Sequence, residues 1–209
     1  MRRATALALF ILPLAGCATT PAASPQDAFW AALSSHCGKA YAGRLVSDEA
    51  PDADMRGAAM AMHVRECSGS RIAVPFHIQR ADGTWDRSRT WLITRTGAGA
   101  DGGLRLKHDH RHEDGSEDAV TLYGGDTATP GTAGAQQFPV DAESVAMFRR
   151  EGLTGSVTNV WQVSVDPAGT VGATYAYQLS RQPPNARLFR VEFDLTRPIA
   201  PPPAPWGHD

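Results

Sequence analysis

Residues 60–78 read MAMHVRECSGSRIAVPFHI. Met60, Met62 and Val64 alternate with small or polar residues. Cys67-Ser68-Gly69-Ser70 then supplies turn chemistry, and Ile72, Val74, Phe76 and Ile78 alternate on the way back. An apolar period of 2 on both sides of a short Gly/Ser turn is the pattern of an antiparallel hairpin with one buried face.

The same period continues in both directions. Tyr41, Gly43 and Leu45 alternate upstream, separated from the hairpin by an acidic loop from Ser47 to Asp54. Downstream, Ala81-Asp82-Gly83-Thr84 makes a turn into a strand over residues 89–95 with Trp91 and Ile93, and a Gly-rich loop, residues 97–103, leads to a strand over 104–112. Glu113-Asp114-Gly115-Ser116 turns into residues 119–123. Residues 124–137, rich in Gly, Thr and Ala, lack periodicity and read as loop. Three strands finish the body. Trp161, Val163 and Val165 mark one. Val171, Ala173, Tyr175, Tyr177 and Leu179 mark the next, after an Asp166-Pro167-Ala168-Gly169 turn. In the last, Phe189, Val191, Phe193 and Leu195 face away from Arg190, Glu192 and Asp194.

Helical signals are few. Ser24 caps, Pro25 suits the first helical position, and Asp27 places an acid in the first turn of a segment whose apolar face is Phe29, Trp30, Leu33 and Cys37. Gly38 stops it. A minor helix is capped by Asp141 and stopped at Gly152.

These nine strand candidates, mostly joined by short turns and never alternating with helices, exclude a parallel α/β sheet. The expected fold is mainly β: an antiparallel up-and-down barrel over residues 25–197, because closure removes exposed edges. A β-sandwich is the alternative. The barrel resembles lipocalin-type barrels in outline, although Ala40 stands two residues after Gly38 where such proteins carry Trp. Residues 198–209 are Pro-rich and read as an extended tail.

The first 17 residues carry a different message. Arg2 and Arg3 precede an apolar run from Ala4 to Ala15, too short for a permanent span. It ends in Leu14-Ala15-Gly16-Cys17, which resembles the bacterial lipobox. The resemblance implies a signal peptide over 1–16, lipid attachment at Cys17, a tether over 17–24, and membrane anchoring in the cell envelope. With Ala18 after the cysteine, the pattern points to the outer membrane. Such a compartment is oxidising, so Cys37 and Cys67 are the candidate disulfide pair. Two separate buried thiols are the alternative.

Net charge is −2, and −4 once residues 1–16 and their two arginines are gone. No basic patch is present, so nucleic acid is not an expected partner. The nucleophile-elbow pattern is missing, Gly-rich loops lack a phosphate-binding Lys, and Asp48, Glu49, Asp52 and Asp54 lack calcium-loop spacing. One cluster stands out. Read at period 2, His108, His110 and His112 continue the apolar row of Leu104 and Leu106, while Arg105, Lys107, Asp109, Arg111 and Glu113 face the other way. Residues at i and i+2 lie about 6.7 Å apart along a strand. His108 with His110, or His110 with His112, could therefore share zinc or another divalent metal, given a third ligand from a neighbouring strand. The same row equally suits an interior polar network with Tyr, Ser or water, or a plain exposed strand end. His63 and His77, diagonal neighbours on one face of the hairpin, are candidates for that third ligand; because this face is opposite Met60, Met62 and Val64, the alternative is a separate surface pair. Asp109, Arg111, Glu113 and Asp114 read as a solvated face and turn. Trp91, Trp161, Tyr175 and Tyr177 belong to the core or to the wall of a ligand cavity.

The function expected is accordingly an anchored lipoprotein with a small-ligand-binding or structural barrel, the ligand small and apolar. The alternative is a metal-binding protein or metal-assisted hydrolase on the His row.

Overall fold

A computed structural model describes residues 23–97 and 102–208. The predicted signal, Cys17 and the tether as far as residue 22 lie outside the described residues, as does part of the 97–103 loop.

Helix α1 (Pro25–Ser34) starts where Ser24 Oγ accepts the Asp27 N–H at 3.0 Å. Strands β1 (Ala40–Leu45), β2 (Met60–His63), β3 (Glu66–Cys67), β4 (Arg71–Gln79), β5 (Trp85–Arg95), β6 (Leu104–His110) and β7 (Tyr123–Asp126) follow. Then come β8 (Ala135–Pro139), α2 (Ala142–Arg150), β9 (Val160–Val165), β10 (Thr174–Arg181) and β11 (Arg187–Ile199). A 3₁₀ turn over Ala50–Met55 occupies the acidic loop.

The strands form one antiparallel sheet in the order β7-β6-β5-β4-β2-β1-β11-β10-β9-β8, with the short β3 paired to β4. Apart from the short β3 and the β7–β8 step, each strand therefore lies beside the next in sequence, and the first and last strands pair. The sheet is an up-and-down barrel, not a sandwich, and it is nearly closed. Its seam lies mid-chain, between β7 and β8. There Asp141 N–H donates to Gly124 O at 2.9 Å. Gly124 and Gly125 let the backbones meet: a Cβ on Gly124 would overlap Leu106 O, and one on Gly125 would overlap Pro139 O.

That seam corrects two expectations. Residues 119–122 are not strand. Leu122 holds a left-handed φ of 54°, which breaks an extended run. Residues 124–137 are not one loop, because they contain most of β7 and the start of β8. Glycines chosen for close approach carry no apolar period, so these strands were invisible to pattern reading. Val171 lies fully exposed in the turn before β10, not in a strand.

Inside, Trp91 stacks on Phe76 (4.9 Å) and on Tyr177 (4.4 Å), with Tyr175 and Phe193 beside them. These rings fill the barrel as a packed core, each large buried side chain contributing about 1.5–3 kcal/mol. One end is plugged by α1 through Phe29, Trp30 and Leu33, all buried. Arg95 caps the plug by stacking over Trp30 (4.7 Å) and pairing with Asp27 (2.7 Å). Cys37 and Cys67 form a disulfide at this end, with a Cα separation of 6.2 Å.

The tail is no free extension. β11 runs on to Ile199, which pairs with Ala40. From there the chain straps the outer wall back to β6. Crossing from β11 to β6 spans five inter-strand gaps, about 24 Å. Residues 200–205 carry the chain across, and a turn then closes with His208 N–H on Pro205 O at 3.2 Å and Gly207 at a φ of 76°. Pro205 and Trp206 are buried. Ala204 O accepts from Arg87 at 2.6 Å, Arg80 lies over the Trp206 ring, and His208 Nε2 meets Asp109 at 2.6 Å. Asp109, expected on a solvated face, is therefore buried between His208 and Arg111.

Candidate functional site

The end of the barrel opposite α1 is open. Register explains which side chains reach it. Trp91 lies opposite His108 and Arg89 opposite His110, so each pair shares the inner face. On β11, Phe189 and Arg187 continue the inward row of Val191 and Phe193. Arg89, Trp91, His108, His110, Arg187 and Phe189, with Tyr123 and Tyr177, border a half-open cavity of about 170 Å³. The 3₁₀ turn reaches its edge through Asp52 and Met55.

The histidine row runs from floor to rim. His108 is buried, His110 is half-buried, and His112 is exposed. His108 accepts the Tyr177 hydroxyl at Nε2 (2.8 Å) and donates from Nδ1 to Tyr123 O (3.0 Å), which assigns the Nδ1–H tautomer. The Tyr123 ring stacks on His108 at 4.5 Å, and its hydroxyl meets His110 Nε2 at 3.2 Å. The strained Leu122 immediately precedes this ring. Burial dominates the acid–base behaviour. It pushes His108 down to about 3 and His110 to about 4, the latter helped by the Arg89 charge. Tyr123 is pushed up to about 12, and Tyr177 well above its ordinary value. All four groups are neutral at pH 7, so this is a hydrogen-bonding wall rather than a poised acid–base pair.

As for zinc, the structure brings His108 and His110 to one cavity but gives both ring nitrogens of His108 to hydrogen bonds. His112 points to Asp118 (3.7 Å) at the surface. Among the described residues no three His, Cys, Asp or Glu side chains converge. His63 and His77 lie on the outer wall. His77 is buried there, and burial lowers it to about 4.

The charged rim was missed in the sequence. Arg187 is clamped by Asp52, through both its terminal nitrogens, and by Glu49 at 2.6 Å. These two acids hold the 3₁₀ turn over the opening. Arg89 pairs with Asp86 (2.7 Å) and Ser88 Oγ (3.0 Å) through one nitrogen, Nη1. A signal did exist. Stepping the inward period one place beyond Trp91, Phe189 and Leu179 lands on Arg89, Arg187 and Arg181, all at the same barrel end.

No known protein family, curated protein or solved structure matches the chain.

Proposed function

We propose that this protein is an envelope lipoprotein, anchored through Cys17, whose barrel mouth holds a small ring-shaped ligand. The observation that carries the reading is the cavity itself. It is concave, walled by Trp91, Tyr123, Tyr177 and Phe189, and edged by a few fixed polar groups. That is the general form of a small-molecule site. Its size sets the ligand. An apolar cavity of about 150 Å³ takes one benzene ring, and this one is about 170 Å³. The Leu14–Cys17 motif supports the anchor. Because α1 follows the tether and plugs the far end, anchoring there turns the mouth away from the membrane.

Two experiments test this. A thermal-shift screen of one- and two-ring compounds should find ligands that raise Tm and change Trp91 fluorescence. Leu179→Phe, which fills the mouth, should abolish both responses while the protein stays folded. Equal responses in that variant, or none in the parent, would remove the ligand reading. Cys17→Ala should move the full chain from the membrane to the soluble fraction; continued membrane association would remove the anchor.

A further inference from the structure

The mouth does not end at its aromatic walls. Arg89 and His110 border the cavity on one side and a second depression of about 350 Å³ on the other. This cleft is polar. Arg80, Asp86, Arg111, His112, Glu113 and Asp118 surround it, and Trp206 of the strap forms one boundary. Two spaces of opposite character meet at one guanidinium.

The hydrogen-bond inventory around the cleft is lopsided. Asp86 has both oxygens engaged, by Ser88 N–H (3.0 Å) and by Arg89 (2.7 Å). Asp118 accepts Val120 N–H at 2.7 Å through one oxygen and faces His112 with the other. Arg111 is spent on Asp109 and Glu117. Arg89 is different. Of its five N–H donors, only the two on Nη1 have partners among the described residues. Glu113 lies out at the exposed edge of the cleft, 4.0 Å from Arg80. At Arg89 itself the one partnered acid, Asp86, is used up and donors are left over, so this guanidinium seeks an acceptor-rich group. A carboxylate meeting a guanidinium fork is the geometry that satisfies it.

We infer that the ligand is an aromatic carboxylate of modest size, its ring in the mouth against Trp91 and its carboxylate on Arg89 at the cleft. This rests on the ring-holding reading above and adds the charge. The spacing agrees. Trp91 and Arg89 are i and i−2 on one strand face, about 6.7 Å apart. A ring and a carboxylate joined by two methylenes can bridge that distance. The exposed face of the cleft leaves room for a longer polar substituent toward Trp206.

The test compares 3-phenylpropionate with 3-phenylpropan-1-ol, which share ring and spacer and differ in the charged group. Both are titrated calorimetrically into the full chain in mild detergent, with detergent blanks. The carboxylate should bind at least about tenfold more tightly than the alcohol, the usual scale for a charge-assisted bond. Arg89→Gln should erase that difference and leave the alcohol unchanged. Arg89→Lys should keep part of it, and Arg44→Gln on the outer wall should keep all of it. Should Arg89→Gln fail to fold, the parent comparison alone decides. Equal binding of the two probes by the parent overturns the carboxylate and leaves the ring site standing. Binding of neither probe overturns the inference, while the ring site is judged by its own compound screen.

Discussion

Two histidines at opposite ends of the barrel solve the same problem in mirrored ways. At the plugged end, His36 has Tyr41 Oη on Nδ1 (2.7 Å) and Asp166 O on Nε2 (2.8 Å). At the mouth, His108 has Tyr177 Oη on Nε2 and Tyr123 O on Nδ1. Each ring accepts from a tyrosine hydroxyl and donates to a carbonyl, so each is fixed in one tautomer, and the tautomers are opposite. Burial lowers both. Among the described residues His36 borders none of the cavities, and the shallow depression beside its partner Tyr41 has no second aromatic wall. A His–Tyr–carbonyl trio is therefore no sign of chemistry by itself. What distinguishes His108 is the open space beside it and the unspent donors of Arg89.

The largest expected contrast between the two ends is in packing. Phe29→Ala at the plug removes a fully buried ring and should cost about 3–5 kcal/mol. Phe189→Ala at the mouth, where the ring is half-exposed, should cost less than half of that. Equal losses in denaturant titrations would mean that the mouth is as tightly built as the plug.

Acid should be nearly as disruptive. His108 falls to about 3 when folded against an ordinary 6.5. Its depressed value means that the unfolded chain takes up the proton first, so stability is full above pH 6.5 and drains as pH falls toward 3. Each such histidine costs about 1.4 kcal/mol per pH unit in that window. His110 and His77 act in the same direction down to about 4. His108→Phe should flatten the curve between pH 6.5 and 4. An unchanged slope would put the acid sensitivity elsewhere.

Asp52→Asn tests whether charge holds the 3₁₀ turn at the edge of the mouth. Asp52 is buried and bonded to Arg187 through both oxygens, but Glu49 remains as a second partner. The loss should be about 2 kcal/mol, below the 3–5 for a pair with no substitute. Hydrogen exchange should rise in residues 50–55 and stay constant in α1. Uniform exchange would show that the turn is no independent cover.

Smallest are the tyrosine deletions. Tyr41→Phe and Tyr177→Phe each leave one buried ring nitrogen without its donor, at about 1–2 kcal/mol. The two should match in stability, yet only Tyr177→Phe should alter binding of a ring ligand. Should Tyr41→Phe alter binding equally, the separation between structural and ligand-facing histidine collapses.

The strands with an apolar period were legible from the residues: β2, β4, β9 and β11 follow from alternation, and both helix caps from Ser24 and Asp141. The seam was not, because Gly124 and Gly125 act through what they lack. The strap was not, because proline composition gives conformation without saying what lies beneath it. At the site, the inward row of His108 and His110 was readable by parity, and so was the aromatic wall. Its arginines were passed over, because charged residues at strand ends are ordinarily read as solvated. Here Asp52 and Glu49, some 135 residues away in sequence from Arg187, bring their charges to it. Such a pairing leaves no local pattern.

Pairing of β1 with β11 also has a consequence for how the chain assembles. One edge of β1 is satisfied early by β2, but the other waits until residues 187–199 arrive. Contacts of such long sequence separation form late and slow the folding rate. Throughout that interval an unpaired strand edge is exposed, the kind that recruits neighbouring chains. The last strand made thus ends the interval of aggregation risk opened by the first.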